Sequence, residues 1–123
     1  MRLIFFVPGV IWVIMIFVLL IMPGTDIPSN DFFELIYFDK WVHLGLFSVL
    51  TVLWAYPFFG SKPLSARILV LVTLSATAYG IAMEFVQKYY ATSRSFDLTD
   101  MLVDAIGSLI GAFFILKFLS KRR

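Results

Sequence analysis

From Leu3 to Met22 the chain runs without a single charged residue. A stretch of about 20 apolar residues, wound as an α-helix, spans the hydrocarbon layer of a bilayer. Three further stretches follow the same pattern. The run 41–59 ends at Pro57, with Gly60 and Pro63 just beyond. The run 64–89 carries Glu84, Gln87 and Lys88 near its end, and 98–119 starts among aspartates and finishes at Lys117, Lys121, Arg122 and Arg123. Four such spans use roughly 80 residues, which leaves short connections in a chain of 123. The runs lack the alternation of barrel strands, and lipid offers no partner to an unpaired backbone group. The predicted fold is all-α: a polytopic membrane protein with four transmembrane helices packed as a small bundle, in a single domain over 1–123.

Composition excludes the competing classes. Hydrophobic residues make up 61% of the chain and charged residues 15%, whereas soluble domains average about 45–50% and about 25%. A globule this small could not hide so much apolar surface from water. The absence of cysteine rules out a disulfide scaffold. A net charge of +2, with the basic residues at helix ends, gives no nucleic-acid footprint. The first run is too long for a signal-peptide core and has no small-residue cleavage site after it, so it reads as a retained span.

Lysine and arginine placement sets the expected orientation. With four spans, the N-terminus, the middle loop and the C-terminus share one side. That side holds Arg2, Lys62, Arg67, Lys117, Lys121, Arg122 and Arg123. The acids Asp26, Asp31, Glu34, Asp39, Glu84, Asp97, Asp100 and Asp104 lie on or near the other. Both termini are therefore expected in the cytoplasm, with acidic loops at about 23–40 and 90–97 facing outward. Asp31 with Glu34 resembles a capping box for a short interfacial helix at 31–38, and Asp97 with Asp100 opens the last span in the same way.

Three ionisable residues fall inside apolar helix: His43, Glu84 and Asp104. Each lies four residues inward of a peripheral polar residue (Asp39, Lys88 and Asp100), about 6 Å at helical rise. They are expected in one layer below the outer interface. Burying an ionised group in a membrane helix costs on the order of 2.5–3.5 kcal/mol at the centre, and this is more easily met if the groups contact one another. Helical stripes support convergence: Asp39 and His43; Gly80, Glu84 and Gln87; Asp97, Asp100, Asp104, Gly107 and Gly111. The Gly107-x-x-x-Gly111 pair lets a neighbouring helix approach closely. Rim cations Lys40, Lys88 and Arg94 would sit above the carboxylates.

These residues resemble the VanZ-like family of small bacterial integral membrane proteins. The likeness rests on Asp39-Lys40-x-x-His43, on Gly80-x-x-x-Glu84-x-x-Gln87, and on Arg94-Ser95-x-Asp97-x-x-Asp100-x-x-x-Asp104-x-x-Gly107-x-x-x-Gly111. It covers roughly 39–111. The family usually has Asn where this chain has Asp104, which adds a carboxyl group here. The resemblance implies four spans in a bacterial cytoplasmic (inner) membrane and a role in the cell envelope. The family is named for a protein associated with low-level resistance to the glycopeptide teicoplanin.

The expected function is binding or modifying an envelope molecule, an envelope lipid or glycopeptide-related ligand, at a polar pocket on the outer face. His43, Glu84 and Asp100 are the candidate catalytic residues. Asp39, Lys40, Gln87, Lys88, Arg94, Ser95, Asp97 and Asp104 are the candidate ligand-binding ones. Blander roles stand beside these: an interfacial histidine bonded to Asp39, an interhelical hydrogen bond at Glu84, helix caps at Asp97 and Asp100. No cofactor is assigned and no metal site; a divalent ion on Glu84, Asp100, Asp104 and His43 is the alternative their chemistry allows. Ser95 has no base and orienter beside it in sequence. The competing function is a non-catalytic structural or partner subunit of a membrane complex, or a homo-oligomer. A proton-coupled transporter fits less well, since the cluster lies near one face and no inverted repeat is visible. Membrane lipid is an expected neighbour, and no nucleic-acid partner is expected.

Overall fold

The computed structural model describes residues 3–21, 38–59, 64–90 and 98–119. Four long helices account for them. Helix α1 spans Val7–Ile21 and is entered through a 3-10 turn at Leu3–Phe6. Helix α2 spans Phe38–Ala55 and runs into a 3-10 turn at Tyr56–Phe58 around Pro57. Helix α3 spans Ala66–Tyr90, and α4 spans Leu98–Phe114 before widening into a π-type turn at Ile115–Leu119. Each of the four is long and apolar enough to cross a membrane. The chain is an all-helical, multi-pass candidate membrane protein. The second span begins at Phe38, three residues earlier than its apolar run, because the helix continues through Asp39 and Lys40. The expected interfacial helix at 31–38 lies outside the described residues apart from its last position.

Burial follows lipid logic. Leu3, Ile11, Ile14, Leu71, Leu74, Leu102, Leu109 and Phe113 are all more than half exposed, as suits side chains whose solvent is acyl chain. Ile16, Leu20, Leu46, Phe47, Leu50, Ala76 and Met83 form the apolar core between α1, α2 and α3. A second cluster at one end joins Ala55, Leu69 and Ile115.

The closest approach is between α2 and α4, where two glycines remove the side chains that would keep the backbones apart. A Cβ on Gly107 would stand 2.6 Å from the Leu44 carbonyl oxygen, and one on Gly111 would stand 2.5 Å from that of Ser48. Ser48 Oγ uses the closeness, lying 2.7 Å from Leu44 O on its own helix and 2.9 Å from Gly107 O across the gap. Without a hydrophobic drive between helices, such tight packing and interhelical hydrogen bonding drive association.

Helix α1 is tied on differently, by side chains that donate to carbonyls. Trp12 Nε1 reaches Leu46 O at 2.9 Å, and Tyr79 OH reaches Val13 O at 2.8 Å. Gln87 Nε2 reaches Leu20 O at 2.8 Å; this carbonyl lies in the last turn of α1, where intrahelical partners run out.

Candidate functional site

The start of α2, the end of α3 and the start of α4 lie at one end of the bundle. Counted along their helices, His43, Glu84 and Asp104 sit about 7–9 Å inward from those ends. All three are buried, at 4%, 1% and 1% exposure. Gln87 is buried beside them, and Asp100 sits at the edge of the layer with its side chain 11% exposed.

A chain of polar contacts leads from the rim inward. Lys40 Nζ pairs with Asp100 Oδ1 at 2.5 Å, with both side chains partly exposed. Asp100 Oδ2 lies 3.9 Å from His43 Nε2, an ion-pair distance too long for a hydrogen bond. His43 Nδ1 is 2.8 Å from Asp104 Oδ1. The second oxygen, Asp104 Oδ2, is buried with no hydrogen-bond partner among the described residues. It packs against Gly80 of α3, where a Cβ would come within 2.7 Å of it. Glu84, one turn further along α3, is buried at the same end of the bundle.

The arrangement has a local cause. Lys40 and His43 are three residues apart on α2, and Asp100 and Asp104 are four apart on α4, so each pair shares a face. The glycine-mediated crossing of α2 and α4 sets those two faces against each other. Deeper in the same seam, buried hydroxyls are satisfied within their own helices: Thr51 Oγ1 donates to Phe47 O and Ser108 Oγ to Asp104 O.

Chemically, an imidazole bonded to a carboxylate at Nδ1 has its ring orientation set, and its Nε2 is the nitrogen left to exchange a proton. Here Nε2 points toward the rim side of the layer, at Asp100.

The structure thus brings His43, Asp100, Asp104 and Lys40 together, with Glu84 buried one turn along α3 from Gly80, which packs on Asp104. Gln87 is buried in the layer but donates its amide to helix α1. Lys88 is exposed, its ammonium 5.3 Å from the Tyr89 ring centroid. Lys40, read from the sequence as a cation for a ligand's anionic group, has its charge met by Asp100. Asp39 lies in α2, but its side chain is not among those described; Arg94, Ser95 and Asp97 lie outside the described residues. Among the described residues, no group of three His, Asp or Glu side chains is arranged to hold a metal ion.

The stripe of Gly80, Glu84 and Gln87 places Gly80 on the right face of α3, and the structure adds its role, which is to admit Asp104. Ser48 gave no signal beyond its place one helical turn after Leu44. Compared with protein-family models, curated proteins and solved structures, the chain matches none of them.

Proposed function

We propose that this is a VanZ-like protein of a bacterial cytoplasmic membrane, with both termini cytoplasmic, whose polar layer binds or modifies a cell-envelope molecule at the outer face. The observation that carries this reading is the line of contacts from the partly exposed Lys40–Asp100 pair to the buried His43–Asp104 pair. Intramembrane ionisable groups are costly, and their retention in such numbers at one depth marks function more often than packing. In this reading His43 exchanges a proton through Nε2, Asp104 holds the imidazole through Nδ1, and Asp100 meets the substrate side with Lys40 holding it in place. Glu84 completes a layer with three carboxyl groups, and Lys88 and Arg94 supply the cations for an anionic head group. Teicoplanin is the first envelope-directed compound to test, because the family that the chain resembles is named for a protein associated with low-level resistance to it.

The test is complementation of a deletion strain with Glu84→Gln and with His43→Gln, scored for envelope phenotypes including teicoplanin susceptibility. Loss of phenotype at normal protein levels is expected for both. Full complementation by both variants would remove the reading.

A second reading is favoured by one observation: Lys40–Asp100 and His43–Asp104 both bridge α2 to α4, and Gln87 bridges α3 to α1. The layer would then be architectural, in a structural or partner subunit. Melting in mild detergent separates the two. A structural network that loses a member drops by several degrees, whereas neutralising a functional carboxylate leaves melting unchanged or raises it.

A further inference from the structure

At the end of the bundle away from the polar layer, α1, α2 and α3 enclose a groove of about 380 Å³, within the range of roughly 300–1,000 Å³ common for small-molecule sites. Phe6 marks its interfacial end, and Leu50 and Tyr79 its deep end. On α3 it runs from Leu71 through Ser75 to Tyr79, about 12 Å along the helix axis. That is close to the depth of one leaflet, about half of a hydrocarbon layer roughly 30 Å thick.

The lining decides the class of occupant. Almost all of it is apolar. The Tyr79 hydroxyl, its most polar deep group, is already committed to Val13 O. Water needs two to four polar partners and finds too few here. The groove opens sideways: Leu71 and Ser75 in its lining are exposed on the surface of the bundle, so a polymethylene chain of the surrounding leaflet enters it without rearrangement of the helices.

The mouth supplies charge. Arg67 is exposed and lies one helical turn before Leu71, on the same face of α3. It belongs to the end of the chain where the basic residues collect. A guanidinium at that depth suits a phosphodiester.

We propose that this groove is a site for one acyl chain of an anionic glycerophospholipid from the adjoining leaflet, with Arg67 meeting its phosphate. The site is independent of the polar layer and does not depend on the function assigned to it.

Native mass spectrometry of the full chain released from mild detergent tests this, with phosphatidylglycerol and phosphatidylcholine offered in equal amounts. One phosphatidylglycerol retained per chain is expected, favoured about fivefold over phosphatidylcholine. Ser75→Phe fills the groove from an exposed position and is expected to reduce retention to background. Arg67→Ala should keep one lipid but lose the preference. Leu71→Phe, which narrows the groove from the next turn, stands in if Ser75→Phe fails to fold. Independently, Trp54 lines the groove, so phosphatidylglycerol brominated in mid-chain should quench wild-type fluorescence more than that of Leu71→Phe. No lipid retained by the wild type, or equal retention after the groove is filled, overturns the acyl-chain site. An unchanged preference in Arg67→Ala overturns the head-group assignment.

Discussion

The carboxylate of Asp104 gives one oxygen to His43 and packs the other against Gly80, so a single methyl group added at that glycine has a definite consequence. Gly80→Ala places carbon 2.7 Å from Asp104 Oδ2 and 2.8 Å from its Cβ, and either Asp104 leaves His43 or the helices part. Overpacking of this kind costs about 1–3 kcal/mol, and detergent melting should show a clear fall. Gly45 is the control. A Cβ there meets nothing within 4 Å, and replacing a mid-helix glycine by alanine gains about 0.5–1 kcal/mol, so Gly45→Ala should melt at or above the wild-type temperature. Equal falls in both variants would refute the packing account. The Lys40–Asp100 pair calls for a double-mutant cycle with Lys40→Met and Asp100→Asn. The coupling expected for contacting residues is about 0.5–3 kcal/mol, and no measurable coupling would mean that solvent already screens the pair.

Helices α4 and α1 are held to the bundle by different physics, and their variants should differ in size. Across the α2–α4 seam the contacts at Gly107 and Gly111 are to backbone carbonyls, which cannot swing aside as a flexible side chain would. Gly111→Ala and Gly107→Ala should each destabilise by about 1–3 kcal/mol and also disturb the His43–Asp104 contact, since the same crossing aligns both. Helix α1 hangs on the donors of Trp12, Tyr79 and Gln87. Interhelical hydrogen bonds in membranes average about 0.6 kcal/mol. Tyr79→Phe should therefore cost little alone, whereas removing all three donors approaches 2 kcal/mol and should expose the α1 junction to protease. A single replacement that released α1 would show that these bonds carry more than the average.

For the whole molecule, the test that matters most is which end of the bundle faces out. The chain contains no cysteine, so single cysteines report topology without background. Tyr90→Cys should react with a membrane-impermeant maleimide in intact cells, and Ser65→Cys only after permeabilisation. The reverse pattern would put the polar layer on the cytoplasmic side and remove the envelope reading.

The four spans, their approximate ends and the glycine-lined face of the last helix were legible in the sequence. Hydrocarbon thickness and internal backbone hydrogen bonding act on each segment separately, and a helix has one period. The same period put His43, Glu84 and Asp104 at similar depth. Partner choice was not legible, because it depends on how helices far apart in the chain rotate and cross. His43 bonds Asp104, 61 residues away. Lys40 turns to Asp100, and Gln87 leaves the candidate ligands for the last turn of α1. The groove beside Trp54 and Tyr79 likewise exists only where three helices meet. Sequence by itself determined which segments are long and apolar enough to cross a bilayer and where along each helix the polar residues fall; the tertiary structure decided who meets whom there, because close crossing at Gly107 and Gly111 selects among faces that are equally available on isolated helices.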